Sequence, residues 1–119
     1  MKKNLQEIEI LSKPQNIKSL IYEMRFDELI NTINEKYPSF FAKNENLLYI
    51  IMKFNFIKLI IFQHDIESAK IFYNQYLLSI MGKVYGKNST LYNRKHYKYK
   101  HFLLIISQNN KFTQFQEFF

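Results

Sequence analysis

The side chains of this sequence that could carry chemistry are three histidines and ten carboxylates. His96 and His101 are five residues apart, which does not stack two metal ligands on one helical face as i and i+4 spacing does. His64 precedes Asp65, a residue type that caps helices, and is interpreted as a solvated turn histidine. General acid–base catalysis by carboxylates needs two of them in one pocket. The sequence gives no sign of such a pair. We expect a protein that is not an enzyme, with no catalytic, metal or cofactor site.

Composition excludes further classes of site and bounds the fold. The chain has no cysteine, which removes disulfides, thiol nucleophiles and thiolate zinc sites. Its two glycines are too few for a phosphate-binding loop or a dinucleotide fingerprint. With 119 residues, of which 47% are apolar, the chain is long enough for one modest core. No apolar signal segment follows Met1, so we expect a cytoplasmic or nuclear location, or both.

The strongest charge feature lies near the C-terminus. The formal net charge is +7, and no acidic residue occurs from Lys83 to His101. Aromatic rings can stack on bases while Lys and Arg neutralise phosphates, so nucleic acid, and RNA in particular, is an alternative partner. The candidate residues for this alternative are Tyr92, Arg94, Lys95, Tyr97, Lys98, Tyr99 and Lys100. The competing interpretation is a solvated basic loop produced by the codon bias of an AT-rich genome.

Apolar spacing predicts the elements that must position these side chains. A first helical face begins at Ile17, and a second runs from Phe26 to Tyr37, where Pro38 disfavours further helix. A third helix covers residues 47–62 behind a candidate cap, Asn44. It is apolar on nearly all sides, but it is interrupted by polar residues and too short to cross a bilayer, so no membrane partner is expected.

A fourth helix is predicted to begin at the candidate cap Asp65 and to end near Gly82 and Gly86. The apolar run of residues 102–106 is compatible with helix or strand. Together these patterns predict an all-α fold, a compact array of about four to six antiparallel helices.

Three segments, in order, carry a family resemblance. Residues 26–38 (FDELINTINEKYP) form a helix ended by proline, residues 56–60 read FIKLI, and residues 65–69 read DIESA. From Asn16 to Leu78 the chain thereby resembles the CTLH family, the motif that usually lies C-terminal to LisH. The resemblance divides the chain into a lead segment (1–14), a CTLH-like helical domain (15–81) and a basic linker with a truncated CRA-like helical region (82–119).

The resemblance implies a non-catalytic protein–protein interaction module. Its setting would be a scaffold or adaptor subunit of a CTLH-type ubiquitin ligase, of the Ran-binding-protein-M-like kind, with RING-type and other ligase subunits as partners in a homo- or hetero-oligomer. A peptide-binding helical domain of the corepressor kind is a further alternative. The chain departs from the family where Lys58 replaces a glutamate and Ile61 an arginine, and no LisH segment precedes Asn16.

Apolar surface beyond the needs of a small core indicates where a protein partner would bind. Aromatic and long apolar residues dominate interface hot spots. The candidate interface residues are Phe54, Ile57, Lys58, Ile61 and Phe62 on the third predicted helix, with Phe118 and Phe119 at the C-terminus.

Overall fold

The computed structural model describes the backbone of residues 17–117 and the side chains of residues 17–108. Within residues 17–117 every regular element is a helix, which confirms the all-α class predicted from the sequence. The lead segment 1–14, Phe118 and Phe119 lie outside the described residues. The chain divides into two units between Asn55 and Phe56, whereas the sequence predicted a boundary after residue 81.

The first unit contains four helical segments. They are α1 (residues 17–22), α2 (Phe26–Lys36), α3 (Phe40–Lys43) and the first part of α4 (Glu45–Ile61). The short helix α3 was not predicted, although Phe40 and Phe41 contribute to the core.

Local chemistry explains where α2 ends. Tyr37 leaves the helical region with φ −135° and ψ 74°, as expected for a residue that precedes proline. Its backbone N–H still donates to the carbonyl of Ile33 at 2.7 Å. The predicted stop of the second helix at Pro38 is therefore confirmed.

Five buried apolar side chains form the core of the first unit: Leu20, Phe26, Leu29, Phe41 and Ile51. Asn55, a polar interruption in the apolar sequence of α4, is only 4% exposed. Its side-chain amide donates to Oδ1 of Asp27 at 3.2 Å, so this buried polar group is satisfied.

The second unit is built from the end of α4 and one interrupted helix packed against a long one. The interrupted helix consists of α5 (Ile66–Phe72), a π-helical turn (Tyr73–Leu77) and α6 (Leu78–Tyr85). Both α5 and α6 contact α7 (Thr90–Glu117). The buried apolar side chains of this unit are Phe56, Ile60, Ile66, Ala69, Tyr73, Leu77, Ile80, Met81, Tyr92 and Leu103.

Asp65 caps α5, as predicted. One carboxylate oxygen accepts from the backbone N–H of Ser68 at 3.0 Å, and the other accepts from the Ser68 hydroxyl at 2.7 Å. These hydrogen bonds to the charged form hold the pKa of Asp65 below its usual range. The cap fixes the start of the interrupted helix and the turn that precedes it.

The end of α6 differs in part from the prediction. The helix passes through Gly82 and ends at Tyr85, and Gly86 takes the left-handed φ of 86° that favours glycine. Only residues 86–89 connect α6 to α7. Residues 82–117 are therefore helix except for the connection at 86–89, and residues 102–106, which the sequence left open between helix and strand, lie within α7.

Candidate functional site

The candidate interface residue of the first unit is Phe54. Its side chain is 51% exposed, and its ring stacks on the ring of Phe26 with centroids 6.1 Å apart and planes 23° apart. Since Phe26 belongs to the core, Phe54 is held in place by that contact while half of its surface stays open to solvent.

The candidate interface residues of the second unit differ in exposure. Ile61 and Phe62 are 56% and 63% exposed, whereas Ile57 and Lys58 are half-buried. The backbone around the exposed pair is ordered by hydrogen bonds: the N–H of Phe62 donates to the carbonyl of Lys58 at 3.0 Å. We call Ile61 and Phe62 the apolar pair. It presents two large apolar side chains, one from the last residue of α4 and one from the turn that follows, and large apolar side chains are common in interface hot spots.

The basic-aromatic stretch is divided by the helix that carries it. Tyr92 is buried, and the ring of Tyr99 packs 5.1 Å from Tyr73 and 5.5 Å from Phe56. Both tyrosines were predicted to stack on bases, but Tyr92 is buried and Tyr99 is half-buried in ring contacts on the packed side of α7, which does not favour that role. Basic and aromatic residues that alternate along the sequence do not stay on one face of a helix, because 3.6 residues complete each turn.

The other side of α7 keeps the remaining candidates in solvent. Arg94, Tyr97, Lys98 and Lys100 are exposed, and Tyr97 is 68% exposed. The ring of Tyr97 stacks on the ring of His101, with centroids 5.9 Å apart and planes 5° apart. His101 is thus a member of this exposed face that the sequence analysis did not include.

Lys95 lies at the border of that face. It is half-buried, and its Nζ is 5.0 Å from the centroid of the Tyr85 ring. This contact is a cation–π interaction within the protein.

His96 is a titratable group of α7 whose pKa is changed by its surroundings. Its Nδ1 is hydrogen-bonded to the hydroxyl of Tyr73 at 2.6 Å, and the two rings stack with planes 9° apart. Burial lowers the pKa of His96, and the charge of Lys100 lowers it further. A neutral imidazole that is already bonded and stacked acts as a structural group between α7 and the π-helical turn.

Two grooves flank Asn74 on the second unit. The first, of about 440 Å³, lies between α6 and α7 and includes Lys83 and Lys87 in its lining. The second, of about 530 Å³, lies between α5 and α7 and includes Lys70 and Lys100. Asn74 lines both grooves. The sequence analysis missed Lys70 on α5, Lys83 on α6 and Lys87 in the connection after α6, because only the packing of these segments brings them beside α7.

Metal-ligating and membrane-spanning features were searched over the same residues. Among the side chains that the structure describes, those of residues 17–108, no three of His, Cys, Asp or Glu come together as a metal site would require. His64 lies exposed in the turn after α4, with a left-handed φ of 51°. None of the helices in the described part of the chain has the length and apolar character needed to cross a bilayer.

Comparison of the chain with models of known families, with curated proteins and with solved structures finds no match. The functional argument therefore rests on the surfaces described above.

Proposed function

We propose that this chain is a non-catalytic protein-interaction module, and that the apolar pair is part of its partner-binding surface. The observation that carries the proposal is the exposure of Ile61 and Phe62, at 56% and 63%, beside a helix end fixed by backbone hydrogen bonds. Completing the burial of these two side chains against a partner is worth roughly 1–2 kcal/mol each, because they are already partly buried and full burial of an exposed side chain is worth about 1.5–3 kcal/mol.

The setting that we propose is a scaffold or adaptor subunit of a CTLH-type ubiquitin ligase, located in the cytoplasm or nucleus. Its support is the order of the sequence motifs on the helices. Residues 26–38 coincide with α2 and its proline stop, and residues 65–69 coincide with the Asp65 cap and the first turn of α5. Relative to the family, Lys58 reverses the sign of a charge and Ile61 replaces a charge with an apolar side chain, so the partner would meet a surface that differs from the family's in both charge and apolar character.

The test is affinity purification of the tagged protein from the cells that express it, with three versions compared. These are the unchanged chain, the variant Phe62→Asp and the control variant Ile71→Asp. Ile71 is 55% exposed on α5, so the control adds the same charge at a site of similar exposure outside the apolar pair. We expect RING-type and other CTLH subunits with the unchanged chain and the control, and their loss with Phe62→Asp.

Two results would contradict this proposal. If Phe62→Asp and Ile71→Asp retain the same subunits, the apolar pair is not the contact. If no RING-type or CTLH subunit is recovered with the unchanged chain, the ligase setting is wrong. Circular dichroism of each variant separates loss of binding from loss of fold, and because Phe62 is exposed the helical signal should not change.

A further inference from the structure

We propose that the second unit binds single-stranded nucleic acid, with the phosphate backbone lying along the two grooves that share Asn74 in their lining and with a base stacked on Tyr97. This site differs from the residue set predicted from the sequence. Tyr92 and Tyr99 are packed inward and are left out as stacking rings, although Tyr92 lines the first groove. The site takes in Lys70 from α5, Lys83 from α6 and Lys87 from the connection between α6 and α7.

The charge distribution of this unit favours an anionic ligand. The sequence has no Asp or Glu between Glu67 and Glu117, while Lys and Arg residues occur on α5, α6 and α7. Glu67 itself is paired with Lys70 at 3.4 Å. An extended surface of one charge sign attracts and orients a polyanion.

The grooves supply a track for a backbone rather than a pocket for one phosphate. Lys83 and Lys87 lie on one groove and Lys70 and Lys100 on the other, with Asn74 shared between them. Lys83, Lys87 and Lys100 are exposed, so their ammonium groups can reach successive phosphates. Asn74 lies in the π-helical turn, a departure from α-helix that is frequent at functional sites.

Tyr97 supplies the aromatic plane that distinguishes single strands from other polyanions. It precedes Lys100 by one helical turn, so the two side chains lie on the same side of α7. The ring is 68% exposed, and its stack with His101, with planes 5° apart, holds it in a fixed orientation. Unpaired bases stack on such rings, whereas duplex bases are stacked within the helix, and acidic peptides and lipid headgroups carry no bases.

The first experiment measures binding of a fluorescein-labelled oligouridine by fluorescence anisotropy over a series of salt concentrations. The double variant Lys83→Gln with Lys87→Gln is compared with a control double variant, Lys18→Gln with Lys43→Gln. Lys18 and Lys43 are exposed in the first unit, so both double variants lose the same net charge. We expect the groove variant to weaken binding and to reduce the slope of log K against log salt by about 1.4, and the control to change neither.

The second experiment tests stacking. Tyr97→Ala should weaken oligouridine binding by about fivefold or more at any one salt concentration, because a stacked base is lost. Tyr22→Ala is the matched control, since Tyr22 is 77% exposed in the first unit. Tyr97→Phe keeps the plane and should bind as the unchanged chain does.

Three outcomes would overturn the proposal. The first is no oligouridine binding at low salt. The second is an equal loss in the groove and control double variants, which would show attraction by net charge alone. The third is equally tight binding of a polyglutamate peptide or of anionic lipid vesicles. Phe62→Asp should leave oligouridine binding unchanged, so this proposal and the protein-interaction proposal can fail separately.

Discussion

The two glycines at the end of α6 provide a direct test of the backbone of the second unit. Gly82 lies inside the helix, and a Cβ added there would meet Cε2 of Tyr92 at 3.5 Å, an ordinary van der Waals contact. Gly86 ends the helix with φ 86° and ψ 116°, a conformation that L side chains rarely adopt. We therefore expect Gly82→Ala to stabilise the protein and Gly86→Ala to destabilise it.

The size of the difference follows from backbone energetics. Inside a helix, alanine is more favourable than glycine by about 0.8–1.0 kcal/mol. A non-glycine residue held in a sparsely populated backbone region costs about 1–3 kcal/mol. Both variants replace a glycine with an alanine, so the loss of conformational freedom in the unfolded chain is the same in both and cancels in their difference. Because the helix preference for alanine arises largely from that unfolded-chain contribution, the free energies of unfolding of Gly82→Ala and Gly86→Ala should differ mainly by the strain at residue 86, about 1–3 kcal/mol.

Urea unfolding followed by far-ultraviolet circular dichroism measures both free energies under one set of conditions. If Gly86→Ala is as stable as Gly82→Ala, Gly86 does not have the left-handed conformation and α6 does not end there. If Gly82→Ala is itself destabilising, the space beside Tyr92 is smaller than the structure shows. Similar m values in the two variants are the control that the surface exposed on unfolding has not changed.

Two further predictions concern pH. Asp65→Ala should lower the Tm at neutral pH. Asp65→Asn should lower it much less, because asparagine also caps the N-terminus of a helix. Because the bonds from Ser68 lower the pKa of Asp65, its contribution is present above about pH 4 and should disappear as the pH falls through the lowered pKa. Burial lowers the pKa of His96, so the unfolded chain takes up this proton first, and stability should fall as the pH drops below about 6.5. His96→Gln should remove that part of the pH dependence. Thermal melts over a pH series measure Tm against pH for each variant, and either expectation is contradicted if Tm changes with pH in the variant as it does in the unchanged chain.

The parts of the fold that were predictable from the sequence depend on local chemistry. Asp65 caps α5 through a carboxylate that reaches a backbone N–H three residues ahead, so neighbours in sequence determine it. Pro38 disfavours the helical backbone conformation for the residue before it. This local effect ends α2 whatever the helix packs against. Gly82 shows the limit of such signals. Glycine is tolerated inside a helix, and the helix ends only at Gly86, where the backbone turns left-handed.

The candidate surfaces were less predictable, since they depend on which side of a helix packs. In α4 apolar residues surround the axis, so periodicity cannot show that Phe56 is buried while Ile61 is exposed. In the stretch 92–101 the residues were read as a line, although helical geometry turns Tyr92 inward and Tyr97 outward. The grooves required tertiary packing, because α5 and α6 must lie against α7 before their lysines flank it.

Salt dependence separates the two surfaces proposed for the second unit. Association through Ile61 and Phe62 removes apolar surface from water, and added salt does not weaken that driving force. Binding along the lysines of the grooves releases counterions and must weaken steeply as salt rises. A partner that stays bound at high salt and is lost with Phe62→Asp therefore uses the apolar pair. A ligand that salt removes, and that is lost with Lys83→Gln and Lys87→Gln, uses the grooves. A single partner sensitive to both changes would mean that the two surfaces act together, as in a protein that holds a nucleic acid while it is bound to a larger assembly.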